Sequence, residues 1–230
     1  MKVITKGKVK TVYQSEKENE VLIHYQDKVT SGNGEKESDI LNKGKINSEI
    51  SSIIFNELEK SGINTHYIKL DGPNVMRCKK VNILPIEVVV RNYAAGSIVR
   101  NTTIEPFTEF IPPLVEFYLK DDNRNDPLLT EDRLEMMGCH NVWDIKEYAK
   151  EVNDILSCLF GKIGIFLVDF KLEFGYIDDE ELIIADEISP DSCRLMDIDT
   201  NESMDKDLFR KDEGDIICAY SEILRRLKEL

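Results

Sequence analysis

An α+β fold in two closely packed lobes is predicted by three features of the chain. Short apolar runs, punctuated by glycine and polar turns, crowd residues 1–26 and 65–81 and read as strands. Three longer segments, near 43–61, 141–160 and 215–230, carry apolar residues at helical spacing. Between the last two, residues 163–197 hold an alternating strand, a turn and a second strand. The strand-rich first third and the mixed remainder meet near residues 82–86. The lobes are therefore drawn as 1–83 and 84–230.

In chain order, strands are expected at 3–5, 9–14 and 21–25. Gly7, flanked by Lys6, Lys8 and Lys10, makes the first turn. Such a hairpin fits either a cover for phosphates or an ordinary solvated turn. Residues 27–39, with Gly32, Asn33 and Gly34, read as a polar loop. The helix at 43–61 places Ile46, Ile50, Ile53, Ile54 and Leu58 on one face, and Gly62 can end it. Strands follow at 65–70 and 75–81, the second closed by Lys79 and Lys80.

The run 86–90 is apolar except for Glu87 and ends at Arg91 and Asn92. Residues 94–97 look like a turn opening a short helix. Backbone N–H groups there, with Arg91 and the Ser97 hydroxyl, would form an anion pocket; a cap and a surface arginine is the alternative. Residues 102–113 contain Pro106, Pro112 and Pro113 and read as irregular. A short strand near 117–120 leads to a polar loop holding Asp126. A helix is expected at 130–137. Another is capped by Asn141, with Trp143, Ile145, Tyr148, Val152, Ile155 and Leu159 on its apolar side. The last helix buries Ile216, Tyr220, Ile223, Leu224 and Leu227.

The stretch 163–197 organises the rest. From 168 to 174 alternation is strict: Asp169, Lys171 and Glu173 face one way, and Val168, Phe170, Leu172 and Phe174 the other. A turn of even length centred on 179–180 would set Glu173 opposite Asp186. Opposed like charges destabilise a ladder. A hard cation such as Mg²⁺ would relieve the repulsion. A solvated acidic hairpin is the competing reading.

Composition narrows the function. The net charge is 30 − 44 = −14, so the broad basic footprint of a nucleic-acid binder is missing. An anion would need a local pocket of Lys and Arg, or a metal. The five cysteines form no C-x-x-C pair, and His24, His66 and His140 are scattered, which argues for reduced thiols and against zinc. No apolar run approaches the roughly 18 residues of a membrane span. A soluble cytoplasmic protein is expected.

Three segments carry a family pattern: PIEVVVRNYAAGS (85–97), VDFKLEFG (168–175) and ADEISPDSCRLMD (185–197). GKVKTVY (7–13), KGKINSEIS (43–51), YLKDDNRNDP (118–127) and MDKDLFR (204–210) fit in the same order. Together they closely resemble the SAICAR synthetase (phosphoribosylaminoimidazole-succinocarboxamide synthase) family over essentially the whole chain. The resemblance implies an ATP-dependent ligase of purine biosynthesis. It would join L-aspartate to carboxyaminoimidazole ribonucleotide through an acyl phosphate. The implied fold is α+β and ATP-grasp- or kinase-like, with ATP and Mg²⁺ between a small strand-rich lobe and a larger one.

By the same resemblance, Gly7, Lys8 and Lys10 cover the ATP phosphates. Lys80 reaches the nucleotide, and Glu87 marks the adenine-side hinge. Glu173 and Asp186 hold Mg–ATP, with Asp126 a further metal or catalytic candidate. Asp169 and Lys171 contact the reacting groups. Arg91, Ser97 and Arg194 take the ribonucleotide 5′-phosphate, and Lys120, Ser189, Asp191 and Ser192 lie near the aspartate. A homodimer is implied as well. Two rival readings remain open: a small-molecule kinase using the same site, and a non-enzymatic acidic module binding nucleotide or Ca²⁺.

Overall fold

The structure is a computed structural model that describes residues 2–178 and 180–230, the side chain of Asn33 excepted. Five antiparallel strands form the first sheet: β1 (Val3–Lys6), β2 (Lys10–Gln14), β3 (Glu20–Tyr25), β7 (Val75–Lys79) and β6 (Tyr67–Gly72), in that spatial order. Residues 27–39 are not the loop expected. Strands β4 (Lys28–Ser31) and β5 (Lys36–Asp39) pair around a tight turn at Gly32–Gly34. Gly32 and Gly34 adopt φ of 58° and 96°, so the glycines that suggested a loop instead close a hairpin.

Helix α1 (Lys43–Lys60) lies against this sheet with Ile46, Ile50, Ile54 and Leu58 buried. The larger sheet runs β11 (Leu128–Leu129), β10 (Glu109–Leu119), β9 (Ile86–Tyr93), β12 (Ile165–Ile177) and β13 (Glu181–Ala185). Strands β14 (Cys193–Asp197) and β8 (Asn82–Ile83) also pair with β12. Helices α2 (Ser97–Asn101), α3 (Glu131–Met136), α4 (Val142–Lys162), α5 (Asp207–Lys211) and α6 (Ile216–Lys228) complete the chain. Helix α4 packs behind β12, and α6 packs against α1.

Several boundaries differ from expectation for physical reasons. Arg91 and Asn92 do not end β9, which continues to Tyr93, because both side chains find buried partners. Residues 109–113 are part of β10 despite two prolines. The register shifts between Glu109 and Leu114, and a bulge tolerates residues that cannot donate to a ladder. Asn141 holds the N-cap position of α4, but its side chain makes no cap bond; its amide donates to Tyr176 Oη instead. Trp143 is 72 % exposed rather than in the core.

The β12–β13 register is also one residue from the expected one. Glu173 lies opposite Ala185, and Ile177 opposite Glu181, so the turn has an odd length. Asp179 lies outside the described residues. Strand β13 stops at Ala185 because Asp186 takes a left-handed φ of 67°.

Candidate active site

A cleft of about 1360 Å³ opens between the first sheet and the larger one. Its wall is the polar face of β12. Side chains alternate along a strand, so residues 169, 171 and 173 share one face at steps of roughly 7 Å. Asp169 and Glu173 are each only 3 % exposed. A solvated acidic hairpin is therefore excluded. The opposite face of β12, with Leu172 and Phe174, belongs to the core against α4.

At the Glu173 end, carboxylates and ammonium groups interleave. Glu173 accepts from Lys120 and, at 2.9 Å, from Lys171. Lys171 also donates to Glu87 at 2.7 Å. Lys10 of β2 pairs with Asp186 and lies 2.9 Å from Glu187. Burial alone would lower the lysine pKa values. The Asp186 and Glu187 charges around Lys10, and the Glu173 and Glu87 charges around Lys171, outweigh it and raise both. Burial would likewise raise Asp186, yet Lys10 and Lys171 hold its carboxyl well below the usual range. Lys10, Lys171 and Asp186 are therefore charged at neutral pH.

Asp186 reaches this cluster by backbone geometry. Its neighbour Ala185 already sits opposite Glu173, so a continued strand would point Asp186 to the other face. The left-handed turn re-aims it into the cleft beside Glu173. The like charges thus converge without being cross-strand partners.

At the Asp169 end, three adjacent strands place Arg91, Asp169 and Arg194 in one row. Asp169 is the register partner of Arg91 on β9 and of Arg194 on β14. Arg91 Nη1 donates to Asp169 Oδ2 at 2.6 Å, and Arg194 Nη1 donates to the same oxygen at 2.8 Å. Outside this pair, Arg91 Nε donates to Glu116 at 2.7 Å and Arg194 Nε to Asp207 at 3.2 Å. Burial would lower both guanidinium pKa values; the Asp169 charge, with Glu116 and Asp207 respectively, raises them instead. Gly96 has φ of 66°, and a Cβ there would lie 2.6–2.8 Å from the Arg194 guanidinium. The backbone can pass so close only because the residue is glycine.

Most sequence-predicted residues line this cleft: Gly7, Lys8, Lys10, Lys80, Glu87, Arg91, Lys120, Asp126, Asp169, Lys171, Glu173, Asp186, Asp191, Ser192 and Arg194. Two do not. Ser97 stands behind Arg91, accepting from its Nη2 at 2.9 Å and contacting Tyr118 Oη at 3.1 Å. Ser189 is fully buried, and its hydroxyl donates to Glu187 at 2.8 Å. Asp126 lines the cleft, but its carboxylate accepts from Asp121 N at 2.9 Å and so orders its own loop. Lys8 reaches Asp122 at 2.6 Å across the mouth. Asp191 is held by Lys43 and by Tyr220 Oη at 2.9 Å.

Sequence reasoning missed Glu187, Glu116, Asp207 and Lys43. Glu187 was legible as the next acid after Asp186. Glu116 and Asp207 matter only through strand and helix placement. Lys43 lies on a helix whose apolar face dominated its reading, and no local signal marks it as 2 % exposed.

The donor set suits a hard cation held partly by its ligand. Glu173 and Asp186 supply carboxylate oxygens, and among the described residues no group of three or more acid, His or Cys side chains forms a complete cage. Two carboxylates can suffice for Mg²⁺, which typically completes its shell with phosphate oxygens and water. No described helix is long and apolar enough to cross a membrane.

Comparison with known proteins shows the family. The SAICAR synthetase family model matches residues 3–227. The phosphoribosylaminoimidazole-succinocarboxamide synthase of Oceanobacillus iheyensis is 46 % identical, over 98 % of this chain and 97 % of its own length. That of Finegoldia magna is 45 % identical, over 99 % and 100 %. Among solved structures, the synthase of Ehrlichia chaffeensis superposes with a TM-score of 0.96 at 40 % identity, covering 100 % of this chain and 99 % of its own. A SAICAR synthetase in complex with ADP superposes at 0.95 with 38 % identity, covering 100 % and 98 %. With the family model matched over residues 3–227 and the fold superposed over the full chain, the chain belongs to the SAICAR synthetase family.

Proposed function

We propose that the cleft binds Mg–ATP at its Glu173 end and carboxyaminoimidazole ribonucleotide at its Asp169 end, with the ligation between them. Family membership makes the chain an ATP-dependent ligase of purine biosynthesis, a phosphoribosylaminoimidazole-succinocarboxamide synthase. The observation that carries the arrangement is the polar face of β12. Residues 169 and 173 are roughly 13 Å apart along the strand, with Lys171 midway. That spacing separates an arginine-rich anion site from a lysine-and-carboxylate site.

A carboxylate is a poor electrophile, so ATP first converts it to an acyl phosphate, which the aspartate amine then opens with release of phosphate. Phosphoryl transfer asks for positioning and charge neutralisation rather than a protein nucleophile. Lys10 and Lys171, held protonated by their carboxylate neighbours, stabilise charge and do not act as bases. Glu173 and Asp186 would hold Mg²⁺, which neutralises the transferring phosphoryl group when bound. Asp126 orders the loop beside them. Lys80 and the Gly7 turn with Lys8 cover the nucleotide from the lobe of residues 1–83, and Glu87 marks the hinge. Arg91 and Arg194 take the 5′-phosphate, with Ser97 setting the Arg91 fork. Lys120, Asp191 and Ser192 border the aspartate site, with Ser189 buttressing that turn. The same reading makes the protein a cytoplasmic homodimer whose partners are these small molecules.

Two measurements test it. Phosphate release should require the ribonucleotide and aspartate together; a stable phosphorylated alcohol would instead indicate a kinase. Arg194→Ala should raise the KM for ribonucleotide at least tenfold and leave that for ATP within about twofold, the mark of binding energy lost to one substrate alone. Equal effects on both would move the phosphate site elsewhere.

A further inference from the structure

Asp169 sits at the centre of the Arg91–Asp169–Arg194 row, and its surroundings are unusual for a group that meets substrate. The side chain is 5 % exposed. Oδ2 accepts from both guanidiniums, at 2.6 and 2.8 Å, and Oδ1 accepts from Arg194 at 3.1 Å. Little of the carboxylate is left to act on a reacting group.

The two arginines, in turn, depend on it. They project from strands on either side of β12, so they would face each other as like charges across one strand. Between groups this buried, such repulsion is only weakly screened. Their outer carboxylates, Glu116 and Asp207, pull them apart. Asp169 supplies the inward attraction that fixes their separation. The ladder changes register between Leu167 and Asp169, a local irregularity of the kind that re-aims a side chain. Gly96 then presses on the Arg194 guanidinium from another side. Every contact around Asp169 sets where the guanidiniums point.

We infer that Asp169 is a positioning residue for the ribonucleotide phosphate, the spacer that orients the Arg91 and Arg194 guanidiniums, and is not a catalytic residue. This rests on the assignment of the 5′-phosphate to those arginines, which the Arg194→Ala variant tests separately.

The experiment is steady-state kinetics of Asp169→Asn with each substrate varied. The amide keeps the shape and one acceptor oxygen but removes the charge. The KM for ribonucleotide should rise about tenfold or more, with kcat within about threefold and the KM for ATP within twofold. A fall in kcat of a hundredfold or more with the ribonucleotide KM unchanged would overturn the proposal and make Asp169 catalytic. A change in thermal stability with no change in any KM would also overturn it, leaving a purely structural ion pair. Should Asp169→Asn fail to accumulate as folded protein, Asp169→Glu keeps the charge and lengthens the spacer by one methylene. The same selective rise in ribonucleotide KM is expected from it, and an unchanged KM overturns the proposal.

Discussion

Lys43 and Asp191 show what a buried charge does in this molecule. The ammonium at the start of α1 is 2 % exposed and meets a carboxylate in the turn between β13 and β14. Burial would raise the Asp191 pKa; Lys43, with Lys206, lowers it to about 2. A carboxyl whose folded value is depressed stabilises the fold above its unfolded value near 4, and that contribution is lost as pH falls from about 4 towards 2. Removing one partner of such a pair leaves an uncompensated charge. Lys43→Met should therefore destabilise by about 3–5 kcal/mol in urea unfolding at pH 7. Tyr220→Phe, which removes only a hydroxyl, should lose about 1–2 kcal/mol. An unchanged midpoint for Lys43→Met would show that the pair does not hold the turn. Nothing in the sequence around Lys43 marks it as buried, because its partner is 148 residues away. The acids of β12 were more legible, since strict alternation shows which side chains share a face.

Among the elements, α1 is the strut between the sheets. Its Gly44 N donates to Asp27 at 2.9 Å, and its Ser51 hydroxyl donates to Ile188 O at 2.9 Å, so one helix holds a loop of the first sheet and a turn of the second. The fit is close: a Cβ on Gly44 would lie 2.4 Å from Tyr25 O. Gly44→Ala should displace the helix start and destabilise by about 1–3 kcal/mol, against the usual gain for Gly→Ala inside a helix. Chemical denaturation decides; a stabilised variant would mean that the helix yields without strain. Apolar spacing predicted α1, α4 and α6 well, because a helix buries one stripe. It could not show that β10 runs through Pro112 and Pro113, or that residues 28–39 pair. Those depend on bulges and turn conformations that tertiary partners select. The odd length of the β12–β13 turn was equally hidden, and only the left-handed Asp186 restores the convergence that the even turn would have provided.

For the whole molecule, the charge balance explains how an acidic protein serves anionic substrates. The chain carries −14 overall, yet lysines and arginines from both sheets converge on one cleft. Lys10, Lys120, Lys171, Arg91 and Arg194 are each partnered there by a carboxylate, so the site is poised for an anion and a divalent ion to enter together. A non-hydrolysable ATP analogue with Mg²⁺ should stabilise the protein by about 2.7 kcal/mol at a hundred times its Kd, a rise of a few degrees in Tm. Chelating the metal should remove most of that rise. An equal rise with and without Mg²⁺ would separate Glu173 and Asp186 from metal binding. The two-lobe plan was legible from the contrast between the chain's first third and the rest, and the cleft followed from it. The pairing that tunes each charge was not, since it joins residues from as many as four strands.

Gly96 carries a consequence for diversity. With a left-handed backbone and a guanidinium where any β-carbon would go, a side chain at that position is strained by its φ and must push Arg194 out of place. A library randomised there and selected for growth without added purines should return only the original codon family. Adaptation to an altered nucleotide would then have to come from Glu116, Asp207 or the α5 segment, the movable margins of a centre that admits no substitution.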